Sequence, residues 1–182
     1  MRRLHATELA ILGLLFLLLL LSYPAAAQQV ELDWYVTIPN VPGCSTAQGQ
    51  AGKIDVLELH QLWFSAESTG PVQPQTREFI FSKDMDCTTR LLWDNYRTLT
   101  HFSSIVLEGY DRTPFHRLRQ RIELYDTYIQ SLETSDRFPD DPPLERIRWV
   151  YGAVDLTSFC VEQNGDDCGM YEWSHDFSQG PG

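Results

Sequence analysis

No C-x-x-C pair occurs in this chain, so a thioredoxin-like redox site and a zinc ribbon both lack their signature. H-E-x-x-H and G-x-S-x-G are missing too, which removes the zinc-protease helix and the hydrolase nucleophile elbow. There is no internal repeat and no low-complexity tract. Basic residues are scarce, 14 Lys and Arg against 25 Asp and Glu, for a net charge of −11. Such a surface repels phosphate backbones and anionic lipid, so neither nucleic acid nor a membrane surface is expected as a partner.

What is present begins at the N-terminus. Arg2, Arg3 and His5 form a short basic head, and Ile11 to Leu21 is apolar apart from Gly13. Ser22, Tyr23 and Pro24 then lead into Ala25-Ala26-Ala27. This three-part order reads as a secretory signal with cleavage after Ala27, an uncleaved membrane anchor being the alternative. The apolar run is shorter than the roughly 20 residues of a membrane span. An export signal over residues 1–27 places the rest of the chain outside the cytosol, in the periplasm or the medium, with no membrane attachment after cleavage. What remains has the size of one ordinary domain and can bury a core.

Four cysteines follow the signal: Cys44, Cys87, Cys160 and Cys168. An even count in an exported chain favours disulfides, and three pairings are possible. Gly165, Asp166 and Asp167 allow a tight turn between Cys160 and Cys168, which favours that pair; Cys44 with Cys87 then follows by elimination.

The body of the chain alternates with period two. Leu32, Trp34, Val36 and Ile38 predict a half-buried strand, stopped by Pro39, Pro42 and Gly43. Residues 43–52 are small, polar and glycine-rich, a loop. Lys53 to Phe64 reads as a second strand whose imperfect alternation calls for a bulge, and Arg77 to Ser82 as a third. Asp86 looks like an N-cap for one helix over residues 87–98, on the spacing of Leu91, Leu92, Asn95, Tyr96 and Leu99. Strands are expected again at Ser103 to Tyr110, at Gln120 to Leu132 with a kink near Asp126, and at Glu145 to Phe159. Phe159 ends the packed domain on this reading, and residues 160–182 form a polar tail tied by the local disulfide. The fold expected is mainly β, a small β-barrel of about seven or eight strands with one α-helix.

Chemistry-bearing residues are scattered. His60, His101, His116 and His175 fall in no catalytic motif, and surface or strand histidines are the plain reading. Asn164, Asp166 and Asp167, or Asp136, Asp140 and Asp141, offer oxygen ligands to calcium, but neither stretch has the EF-hand pattern. Trp34, Trp63, Trp93 and Trp149 suit a ligand-binding barrel mouth, although core packing is the default for Trp34 and Trp149. No catalytic, cofactor or metal residue is therefore assigned.

Three stretches give the chain a family likeness: WYVTIPNVPGCSTAQGQAGKIDVLEL (34–59), FIFSKDMDCTTRLLWDNY (79–96), and the pair IELYDTYIQSLETS and LERIRWVYGAVDLTSF. In order and spacing they resemble the haemolysin-coregulated protein (Hcp) family, the tube subunits of type VI secretion, from about Leu32 to Phe159. The resemblance implies a non-enzymatic β-barrel with a flanking helix that self-assembles into rings, usually hexamers, stacking into a tube that can hold a protein cargo. It implies that the loop after the first strand reaches the neighbouring ring. Here that loop is Val41 to Gly52, with Val41, Gly43, Cys44, Ser45, Gly49 and Gly52 as its candidate contact residues. Members of that family carry no cleavable signal, whereas this chain opens with one, and Cys44 stands in the loop itself. A monomeric exported barrel that binds a small ligand or a partner protein is the alternative.

Overall fold

The computed structural model describes residues 31–62, 78–137, 141–162 and 166–177. The strand-forming runs build β1 (Leu32–Thr37), β2 (Ile54–Val56), β3 (Glu58–Leu62) and β4 (Glu78–Asp84). The helix α1 (Thr89–Arg97) follows, then β5 (Phe102–Asp111), β6 (Leu118–Ser135), β7 (Leu144–Val150), β8 (Ala153–Val161) and β9 (Asp167–Asp176). All pairings are antiparallel, in the order β2-β1-β5-β6-β7-β4-β3, with β8 on β6 and β9 on β8. The two ends of this path, β2 and β3, are separated in the chain by Leu57 alone. Leu57 N–H donates to Ser82 O at 2.8 Å. The sheet thus rolls up like a barrel, but no ladder closes it among the described residues.

One bend shapes the sheet. Strand β6 pairs with β5 and β8 along its first half and with β7 along its second. The change falls at Asp126, whose φ is +48°, a left-handed conformation that Asp tolerates better than most residues. Directly opposite, Tyr151 and Gly152 separate β7 from β8, and Gly152 N–H donates to Tyr125 O at 2.8 Å. A Cβ on Gly152 would lie 3.2 Å from the Asp126 Cβ, so the close approach of the two bends favours glycine there.

Alternation along these strands fills the interior. Val36, Ile54, Phe79, Phe81, Ile105, Leu107, Leu124, Ile147 and Trp149 are all fully buried. Trp149 stacks on Phe81 at 6.3 Å between centroids and meets Phe102 edge-on at 5.7 Å. Helix α1 contributes Leu92 to this core, with Trp93 and Tyr96 packed partly against it.

Several boundaries differ from the sequence reading. The described residues form nine strands rather than seven or eight. The helix begins at Thr89, because Asp86 caps the preceding turn instead: its carboxylate accepts the Thr88 N–H at 2.8 Å and the Thr88 hydroxyl at 2.6 Å. The stretch from Glu145 to Phe159 divides into β7 and β8. Packing also continues past Phe159. β8 runs to Val161, β9 pairs with it from Asp167 to Asp176, and Phe177 reaches the core at 7% exposure. Within the proposed tail, Asp167–Asp176 is therefore a strand, held by its ladder to β8. Residues 1–27, where a signal is expected, and Trp63 lie outside the described residues.

Candidate functional site

The loop between β1 and β2 is built, not slack. Ile38 bridges to Val41, and Val41 is buried. Gly43 N–H donates to Gly52 O at 2.8 Å and Ser45 N–H to Lys53 O at 3.0 Å, which pins the two legs together. The legs approach so closely that a Cβ on Gly43 would sit 1.9 Å from the Lys53 carbonyl oxygen, so only glycine fits. Ser45 Oγ donates to Asp55 at 2.7 Å. Gly49 and Gly52 take φ values of +77° and +83° at the turns. Pro42, Cys44, Thr46, Gln48, Gly49, Ala51 and Gly52 face solvent. The side chains of residues 41–52 include no charge.

A covalent and ionic brace then joins the loop to the sheet. Cys44 is disulfide-bonded to Cys87, with Cα atoms 6.3 Å apart, and both are exposed. Next to Cys87, Asp86 receives the Lys83 ammonium at 2.8 Å. The Lys83 side chain is wholly buried and also donates to Glu145 on β7 at 2.7 Å and to the Asp84 carbonyl at 2.6 Å. Glu145 in turn accepts the Thr89 hydroxyl at 2.8 Å, where α1 begins. Loop, helix start, β4 and β7 are thereby held at one place. Burial pushes the Asp86 carboxyl up, but the Lys83 ammonium and the two Thr88 donors outweigh it and leave it below the usual carboxylate range.

A second network lies at the far end of the sheet. Asp111 is buried and accepts the Thr113 hydroxyl at 2.6 Å, Arg117 N–H at 3.1 Å and Arg119 Nε at 2.7 Å. Burial raises its carboxyl and these donors lower it further than burial raises it. For both aspartates the folded value is below the unfolded one, near 3.9. Their contribution is therefore complete above that value and is lost as pH falls through the folded values. The urea midpoint is expected to hold steady from about pH 7 to 5 and to drop below about pH 4, with a shallower drop in Asp111→Asn.

The other perturbed groups serve structure. Burial and a hydrogen bond to Asp155 push Tyr125 up to about 12, and burial, Asp33 and Asp55 raise Tyr35. Of the histidines, His101 pairs with Asp126 at 3.1 Å, His116 stacks on Tyr110, and His175 stacks on Trp173. His60 Nε2 lies 2.6 Å from buried Ser82 Oγ and 3.3 Å from Glu58. Both contacts use the same ring nitrogen, so Glu58 does not orient the imidazole as a catalytic triad requires.

Among the sequence candidates, the structure joins Cys160 to Cys168, with Cα atoms 5.0 Å apart, as well as Cys44 to Cys87. Trp149 is core, while Trp34 and Trp93 pack against it half-buried. Among the described residues the one group of three candidate metal ligands is Cys44, Asp86 and Cys87. Its sulfurs are consumed by the disulfide and offer no thiolate. Asp167 faces Arg117 at 3.6 Å, and the Asp166 carbonyl accepts Glu162 N–H at 2.8 Å. Asn164 and Asp140 lie outside the described residues. The Lys83–Glu145 pair and the Asp111 network were not legible beforehand, since the former joins residues 62 apart and the latter leaves no periodic trace.

Residues 35–157 match the family described as type VI secretion system effector, Hcp. No curated protein sequence matches the chain. A solved type six secretion system protein superposes with a TM-score of 0.70 at 19% identity, over 82% of this chain and 98% of its own. Hcp1 from Salmonella typhimurium gives 0.66 at 14% identity, over 82% and 96%. A type VI secretion system effector from Yersinia pestis gives 0.63 at 19% identity, over 79% and 99%. At these identities the likeness is one of fold.

Proposed function

Because the chain belongs to the Hcp family of type VI secretion, we propose that it is an exported, non-enzymatic structural protein that assembles with copies of itself into rings. The family supplies homo-oligomeric tube subunits rather than a known class of enzyme. The observation that carries the proposal is the loop from Val41 to Gly52, a projection without charge, held in one shape and pinned to the helix start. A surface that must meet another protein gains affinity from being ordered beforehand, and it has no ions to desolvate. The loop stands where the family makes contacts between rings, and Val41, Gly43, Cys44, Ser45, Gly49 and Gly52 are the positions assigned to that contact.

Ring formation would also cover exposed sheet edges. β9 pairs on one side with β8 and on the other with nothing among the described residues. Uncovered edges of this length invite uncontrolled pairing, and assembly is one way of occupying them. A ring closes only if the rotation between copies fits the symmetry, six-fold being the family habit. Export by the signal over residues 1–27 and two disulfides both suit an oxidising compartment, periplasm or medium. The interior is filled by Phe79, Phe81, Leu124 and Trp149, which favours assembly over the ligand-holding barrel.

Light scattering on the oxidised, exported protein tests this reading. A mass several times that of one chain, with closed rings by electron microscopy, is expected. A single-chain mass at every concentration tried would overturn it.

A further inference from the structure

Cys44 and Cys87 are held near each other by more than the bond between them. On the loop side, the Gly43–Gly52 and Ser45–Lys53 backbone bonds fall on the two neighbours of Cys44. On the helix side, Met85 N–H donates to Pro143 O at 2.8 Å and Asp86 N–H to the Thr89 hydroxyl at 3.0 Å. Thr89 N–H donates to Asp86 O at 3.2 Å, so the backbone around Cys87 is fixed as well. Opening the disulfide therefore frees two thiols without freeing the chain that carries them.

Asp86 stands beside both. The two sulfurs and a carboxylate oxygen of Asp86 all lie within 4.8 Å of one another. The Asp86 Oδ1 receives the Lys83 ammonium at 2.8 Å, Thr88 N–H at 2.8 Å and the Thr88 hydroxyl at 2.6 Å. Among the described residues no donor falls on Oδ2. Metal-bound carboxylates are themselves oriented by hydrogen bonds of this kind, which leave an oxygen to the ion.

We propose that, once reduced, Cys44 and Cys87 join Asp86 in binding one thiophilic divalent cation of the Zn²⁺ type. A dithiol opens the site. It passes two electrons and two protons to the Cys44–Cys87 bond and closes to a disulfide itself. The cation then displaces both thiol protons to solvent and takes the thiolates as ligands. Ligands around a tetrahedral Zn²⁺ stand roughly 3.5–4 Å apart, a spacing that side-chain rotation reaches from the present one. Charge favours the loaded state. Two thiolates and a carboxylate carry three negative charges, which the divalent ion and the buried Lys83 ammonium balance. The ion ties the Val41–Gly52 loop to the start of α1 when the disulfide no longer does, so the brace persists in a reducing medium. The site is complete within one copy of the chain, whether or not copies assemble.

The other disulfide supplies a built-in comparison, because Cys160 and Cys168 have no third ligand grouped with them among the described residues. The test takes the exported protein, reduced with dithiothreitol and then freed of it without oxygen, and uses Cd²⁺ as the probe. One Cd²⁺ per chain is expected, with an ultraviolet thiolate-to-metal absorption band, a raised urea midpoint and displacement by Zn²⁺. The oxidised protein should show none of these. Asp86→Asn, which still offers Thr88 an acceptor, should weaken binding by about tenfold or more. Cys44→Ser with Cys87→Ser, which keeps Cys160 and Cys168, should abolish it. Equal affinity in the reduced parent and in Asp86→Asn overturns the three-ligand site. So does a reduced parent that takes up no Cd²⁺, or a double variant that binds as the parent does.

Discussion

Replacing Lys83 by Met is expected to destabilise the protein by about 3–5 kcal/mol, the usual effect of removing one partner from a buried ion pair. The ammonium and the Glu145 carboxylate are both wholly buried. Without Lys83, Glu145 keeps among the described residues only the Thr89 hydroxyl on Oε2, and its buried Oε1 has no partner there. Asp86 loses its counter-ion at the same time, and with it part of the hold on the turn leading to Cys87. Urea unfolding of the single variant should show a much lower midpoint with an unchanged slope. Lys83→Met combined with Glu145→Leu removes the orphaned charge and should recover more than half of the loss. A single variant within about 0.5 kcal/mol of the parent, the range of ordinary surface substitutions, would falsify this account of the brace.

Much of the sheet was legible because its signal is burial. Val36, Ile54, Phe81, Leu107, Leu124 and Trp149 recur at alternate positions, and each is buried. The bend near Asp126 was legible as well, since a short polar residue interrupts an apolar run at the place where the backbone turns left-handed. β9 gave no such signal. Nine of its ten residues are exposed, so its side chains carry no pattern of inside and outside. Its ladder of backbone bonds to β8 and the Cys160–Cys168 link hold it, and neither depends on hydropathy. The helix start was misplaced for a related reason. Asp86 has the residue type of an N-cap and does bond to a backbone N–H, but it closes the turn before the helix.

The candidate site divides in the same way. Its loop could be read from glycine, proline and the lack of charge over residues 41–52, because those features are local. Its brace could not. Lys83 and Glu145 are 62 residues apart and meet only because β4 pairs with β7, placing Lys83 opposite Glu145 in register. The pairing of a buried Lys with a buried Glu thus follows from sheet order, which no single-residue property reveals.

The largest effect on assembly is expected from Cys44→Ser combined with Cys87→Ser. The bond closes a separation of 43 residues, and chain entropy alone assigns such a link about 4 kcal/mol. The Cys160–Cys168 bond spans 8 residues and is assigned about 2.5 kcal/mol, so its removal should lower the urea midpoint less. The two should differ in kind as well. Without Cys44–Cys87 the loop keeps its internal bonds, from Gly43 to Gly52 and from Ser45 to Lys53, but loses its attachment to the start of α1. Docking must then order the loop at its own cost, so stacking should weaken sharply while the rings persist. Both cysteines are exposed, which leaves the bond open to a soluble reductant, and mild reduction should reproduce the double variant. The check is the ratio of stacked to single rings before and after dithiothreitol, with the parent and the double variant side by side. Stacking that survives in the double variant would place the loop's order in its own backbone bonds and deny the disulfide any part in assembly.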